Sequence, residues 1–153
     1  MERSVRVPLS PQLQDEIAER LRLASGLMET AEIAPTCSEY ELRNSLSRLY
    51  YAFFHASIAL LLATESDIAQ ISRSHGALHA RLQRKFGKTM LISRMMRELY
   101  EMRKNCDYET GMFRTKYGGN IEAGRKDSIL LLKRAKTQFY WLYHQARKYL
   151  NQK

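Results

Sequence analysis

Two cysteines, three prolines, seven glycines and one tryptophan are all that 153 residues hold of those types, and each scarcity excludes something. Cys37 and Cys106 form no zinc-ligand or disulfide pattern, so free thiols in a reducing, cytoplasmic setting are expected. With so little glycine and proline there are few turns. No run of four or more residues alternates apolar and polar as a half-buried strand does, which points to an all-helical domain. MERSVRVPLSPQ has no apolar core of a signal peptide. The longest apolar run, AFFHASIALLLA at 52–63, is broken by His55 and Ser57 and falls short of the roughly 18 residues that suggest a bilayer span. It reads as a buried helix, with no membrane role.

Acid is missing in two places. The chain has 25 Lys and Arg against 16 Asp and Glu, a formal charge of +9. RSHGALHARLQRKFGK at 73–88 holds five basic residues and two histidines without an acid, and the stretch 133–153 holds six basic residues without one. Such blocks attract polyanions and point to nucleic acid. Also absent are a zinc finger, an RNA-recognition aromatic motif, a glycine-rich phosphate loop, an HExxH helix and a G-x-S-x-G elbow. His75 and His79 stand one turn apart with no nearby acid to complete a metal site, so helix surface or capping is their expected place. Neither metal nor cofactor is expected.

What is present is helical periodicity. At 44% apolar composition the chain can build one core, and a single domain over 1–153 is expected. Ser10-Pro11 starts a first helix whose stripe is Leu13, Ile17, Leu21, Ala24, Met28 and Ala31. Ser38 and Glu41 are spaced as a capping box for a long second helix to about Thr64, with Leu42, Leu46, Leu49, Phe53, Ala56 and Leu60 in one arc. A third helix is predicted from Ser74 to Phe86 with Gly87 as its stop, and a fourth from about Leu91 to Tyr108 with the stripe Met95, Leu99, Met102 and Cys106. A fifth opens near Asn120 and carries the seam Leu132, Ala135, Phe139, Leu142, Ala146 and Tyr149. The prediction is an antiparallel bundle of four to five helices.

Two sets of polar residues lie beside these apolar stripes. Asn44, Arg48, Tyr51 and His55 recur at spacings of four, three and four along the second helix. Burying several such groups is costly unless they are paired, and an anionic ligand is one partner that would pair them. On the fourth helix Arg103 and Asp107 are one turn apart, with Tyr100 one turn before and Tyr108 after. A helix-surface pair of this kind contributes roughly 0.2–0.5 kcal/mol. The guanidinium beside an apolar stripe could also take a phosphate, with the carboxylate holding it.

The runs RNSLSRLYYAFFHASIALLLATE, SRSHGALHARLQRKFG and LYEMRKNCDYE together resemble the HEPN superfamily (higher eukaryotes and prokaryotes nucleotide-binding domains), in particular its small stand-alone prokaryotic branch. The motif positions are Arg48, Tyr50, Tyr51, Phe54 and His55; Ser74 and His75; and Arg103, Asp107 and Tyr108. The resemblance covers roughly residues 12–150. It implies a helical bundle that forms a homodimer, with the fourth helices of two protomers pooling their motifs into a cleft for RNA or nucleotide. It assigns Arg103, Asp107 and Tyr108 to the catalytic position, and Arg48, Tyr51, His55 and His75 to RNA or nucleotide binding, to which Asn44 is added by its place on the same stripe.

In ribonuclease members of that superfamily the motif is arginine, four to six residues, then histidine, and cleavage proceeds without metal from the 2′-hydroxyl. This chain departs there, with Tyr108 five residues after Arg103. A phenol with an ordinary pKa of about 10 is a poor base at neutral pH, so the acid-base role falls to Tyr108, Asp107 or His55. Two functions follow from the resemblance. One is an RNA-cleaving or RNA-binding toxin-like protein of a toxin-antitoxin or phage-defence system, restrained by a nucleotidyltransferase-type antitoxin or other operon partner. The other is a noncatalytic nucleotide-binding or substrate-binding partner of a minimal nucleotidyltransferase, with Tyr108 as the acceptor of a nucleotide. A dimeric scaffold whose polar stripes form only an interface network is the third reading.

Overall fold

The computed structural model describes residues 8–65, 74–87, 90–108 and 119–151. Among them are five helices and no strand: α1 (Pro11–Thr30), α2 (Glu39–Thr64), α3 (His75–Phe86), α4 (Met90–Tyr108) and α5 (Ile121–Leu150). Local chemistry fixes the starts. Ser10 accepts a bond from the Leu13 amide at 3.2 Å, with Pro11 at the first helical position, where no donor is missed. Ser38 and Glu41 form the reciprocal capping box, at 3.2 Å and 2.7 Å. Asn120 caps α5 through the amides of Glu122 and Ala123. Gly119 precedes it at φ 81°, a left-handed conformation that a Cβ would strain.

α2 is the central element and packs on α1, α4 and α5, while α3 packs on α4. The pairings run antiparallel from α1 to α2 and from α2 to α4. Arg48 meets the end of α1 at Thr30 while Arg20 meets His55. Arg43 meets Asn105 and Cys106 while Tyr50 meets Tyr100, and Arg134 meets Glu98 at 2.9 Å. The connection before α2 is held by Ser45, which donates to the Glu32 carbonyl at 2.7 Å, and by Arg125, which donates to the Cys37 carbonyl at 2.6 Å.

Every residue of the arc Leu42, Leu46, Leu49, Phe53, Ala56 and Leu60 is buried, as are Met95, Leu99, Met102 and Cys106 of α4 and Leu132, Ala135, Phe139, Leu142 and Ala146 of α5. From Ala52 to Ala63 α2 is buried nearly all round, His55 alone being half-buried. The whole helix, at 26 residues and with a window of mean hydropathy 1.4, is long and apolar enough to cross a bilayer; 78% of that window is packed inside the protein. A helix that is apolar all round needs a partner on every side, and here three helices supply it. Both cysteines are buried and unpaired with each other.

Candidate functional site

The site grows from the side of α2 that faces α4. At 100° per residue, Arg43, Ser47, Tyr50 and Phe54 lie along that side. Tyr50 is fully buried, and burial pushes its hydroxyl well above the ordinary phenol range, with the nearby Arg103 charge acting in the opposite sense. A phenol held in its neutral form must donate its proton somewhere. The Tyr50 hydroxyl meets Nδ1 of His75, the first residue of α3. With the phenol as donor, the imidazole accepts at Nδ1 and carries its own proton on Nε2. Burial, then the Arg103 charge, holds the His75 pKa below its ordinary value, which keeps the ring neutral near pH 7.

Around this pair stands a shell of rings. Tyr50 lies 5.3 Å from Tyr51, 5.9 Å from Phe54 and 5.8 Å from Tyr100, centroid to centroid. His75 lies 5.0 Å from Phe54 and 5.6 Å from Tyr100. His79, one turn along α3, stands edge-on to Tyr100 at 5.0 Å. Arg103 closes the cluster from α4, with its guanidinium carbon 5.7 Å from the Tyr50 ring centre and 5.3 Å from that of Tyr51. Only 7% of Arg103 is exposed. A guanidinium is weakly hydrated and flat, so it tolerates this burial beside two tyrosine rings where an ammonium would not.

The end of α4 is also fixed. Arg43 donates to the carbonyls of Asn105 and Cys106 at 3.3 Å and 3.1 Å, and pairs with Glu39 at 2.7 Å. Those carbonyls belong to the last turn, which has no amides of its own helix to bond and carries the negative end of the helix dipole. Arg43 thus anchors the turn that follows Arg103.

Of the residues singled out in the sequence, the fold brings Tyr51, His75 and Arg103 together. Arg48 and His55 of the α2 stripe turn to α1. Arg48 is exposed and donates to the Thr30 carbonyl at 3.2 Å, closing the end of α1. Nδ1 of His55 accepts from Arg20 at 3.3 Å, and Arg20 also pairs with Glu16 at 3.1 Å. Asn44 is half-buried one turn before Arg48. Asp107 and Tyr108 lie in the last helical turn of α4, and their side chains fall outside the described residues, as does the Arg103–Asp107 pairing. The expectation that His75 and His79 occupy the helix surface or serve as caps is corrected, since both are half-buried against Tyr100. Tyr50, Tyr100 and His79 are the cluster members that the sequence reading left off the site. Tyr50 stood in the quoted motif, and its one available signal was its place in line with Arg43 and Phe54.

Burial, then the Arg20 charge, lowers the pKa of His55 from 6.5 to about 4. Between those values the unfolded chain binds a proton that the folded chain refuses. The stabilising difference is fully present above pH 6.5 and is lost as pH falls towards 4. His75 and His79 are shifted in the same direction. Urea midpoints should therefore fall steadily from pH 6.5 to pH 4, and a His55→Asn protein should show a shallower decline.

Among the described residues no group of three His, Cys, Asp or Glu side chains is placed to share a metal ion. What the cluster offers is a buried cation, an imidazole and tyrosine rings. These suit recognition of a phosphate and an adjoining base. No protein-family model, curated protein or solved structure matches the chain.

Proposed function

We propose that this chain is a HEPN-type, toxin-like protein of a toxin-antitoxin or phage-defence system, which binds RNA at the Arg103 cluster and cleaves it without a metal ion, acting in the cytoplasm as a homodimer. The observation that carries the reading is the placement of His75. The sequence puts Tyr108 where ribonuclease motifs have histidine, and the fold brings an imidazole to Arg103 from a different helix. In the reaction envisaged, the 2′-oxygen of a ribose attacks the adjacent phosphorus as its proton leaves. The bond from phosphorus to the 5′-oxygen breaks, and that oxygen takes up a proton, leaving a 2′,3′-cyclic phosphate and a 5′-hydroxyl. Arg103 stabilises charge on the phosphoryl oxygens, and the Nε2–H of His75 donates to the same group. His55 is less suited, because Arg20 occupies its Nδ1. The basic balance of +9 raises the local concentration of RNA.

Incubating the purified protein with end-labelled tRNA and mRNA in EDTA tests this. The expected products carry 2′,3′-cyclic phosphate and 5′-hydroxyl ends. Intact RNA at micromolar protein would overturn the ribonuclease reading. It would leave the noncatalytic partner of a minimal nucleotidyltransferase, with Tyr108 as the residue to assay for nucleotide attachment.

A further inference from the structure

We propose that the outer face of α5, joined to the end of α3 by the Phe86–Trp141 contact, is a second surface that binds single-stranded RNA, apart from the Arg103 cluster. The two acid-free stretches of the sequence are distant along the chain. The fold joins them, because the Phe86 ring at the end of α3 meets Trp141 on α5 edge-on at 5.8 Å. At 100° per residue, Lys133, Thr137, Tyr140, Trp141, His144, Arg147 and Lys148 share the side of α5 opposite its buried seam. All seven are exposed. Tyr140 and Trp141 are 48% and 44% exposed, unusual for rings of that size on two successive positions. Tyr140 is stacked on His144 with 29° between planes.

The charges on this face are available. Among the described residues Lys133, Arg147 and Lys148 have no ion-pair partner. In contrast, Arg81 and Lys85 are tied to Glu65, and Arg134 to Glu98. Cations in the last turn of α5 complement its dipole, which accounts for Arg147 and Lys148 alone. It does not account for Lys133 in the middle of the helix, or for two exposed aromatic rings between it and the last turn. Rings that stack bases, set among cations that track phosphates, are the elements of a sequence-tolerant single-strand site. From Lys133 to Lys148 the face runs about 22 Å at 1.5 Å per residue, enough for several nucleotides. α3 itself spans about 16 Å from His75 at the Arg103 cluster to Phe86 at this face, so a strand held here lies within reach of the cluster. The choice of RNA over DNA rests on the proposed function; the surface itself does not.

Trp141 is the one tryptophan in the chain, so its fluorescence reads this face directly. Titrating the protein with an unstructured 12-nucleotide RNA should quench that emission, with affinity falling as salt rises by a slope of about −0.7 per phosphate neutralised. By anisotropy of the labelled RNA, Trp141→Ala should weaken binding about tenfold. The double variant Arg147→Glu and Lys148→Glu, which leaves packing untouched, should weaken it further and flatten the salt slope. Unquenched Trp141 emission, unaltered binding by the double variant, or quenching by phosphatidylserine vesicles in place of RNA would overturn the proposal. Arg103→Ala is measured in parallel. Loss of RNA binding there, with binding retained in the α5 variants, would overturn this surface and leave the Arg103 reading standing. Binding at Trp141 by a protein that cleaves nothing would do the reverse.

Discussion

Replacing Arg103 with alanine should slow RNA cleavage at least a hundredfold, the usual cost of removing a fixed group that stabilises transition-state charge. The arginine cannot be exchanged for lysine at this position. Its guanidinium carbon lies 5.7 Å and 5.3 Å from the ring centres of Tyr50 and Tyr51, and an ammonium has no plane to stack and holds its water more tightly. Arg103→Lys should therefore recover little of the rate. The substitution also has a structural cost. Two contacts of cation to ring are lost, each worth about 0.5–2 kcal/mol, so Arg103→Ala should lower unfolding stability by about 2 kcal/mol and leave helix content unchanged. Cleavage rates and urea midpoints on the same preparations separate the two effects, because a fall in rate that merely tracked unfolding would disappear well below the midpoint.

Tyr50→Ala should have the largest effect on stability, about 3–5 kcal/mol, in the range for emptying the space of a buried aromatic ring. Tyr50 is fully buried and touches Tyr51, Phe54, His75, Tyr100 and Arg103, so its removal opens a cavity bounded by those five side chains. Tyr50→Phe keeps the ring and deletes only the donor to His75. That change should cost about 1–3 kcal/mol, the penalty for leaving a buried acceptor unpaired. It also has a spectroscopic signature. In the wild type the nitrogen shifts of His75 should report a neutral ring with its proton on Nε2; in Tyr50→Phe the two tautomers should be mixed. A wild-type ring with its proton on Nδ1 would show that Tyr50 accepts, and would remove the Nε2 donor from the site.

The helices were legible in the sequence because their information is local. Ser10, Ser38 and Asn120 cap the next turn of their own chain, and the apolar stripes repeat at the helical period. The cluster was legible only in part, because a stripe on one helix does not say which neighbour it faces. Asn44, Arg48, Tyr51 and His55 fall on one line of α2, yet that line lies on the boundary between α1 and α4. Arg48 and His55 are drawn to Thr30 and Arg20, while Tyr51 joins Arg103. Tyr50 and His75 are 25 residues apart and meet only because α3 docks on α4 with its first turn over α2. No periodicity within either segment encodes that meeting. It arises from tertiary packing, as does the burial of His79 against Tyr100.

The claim that Arg103 and His75 form one site acting on RNA is tested most directly by a double-mutant cycle on the cleavage rate, with Arg103→Ala and His75→Ala made singly and together in proteins of matched oligomeric state. Groups that act on one phosphate as a unit give strongly non-additive losses. The account expects the double variant to be little slower than Arg103→Ala alone. Losses that multiply in the double variant, or a His75→Ala protein with wild-type rate, would contradict it.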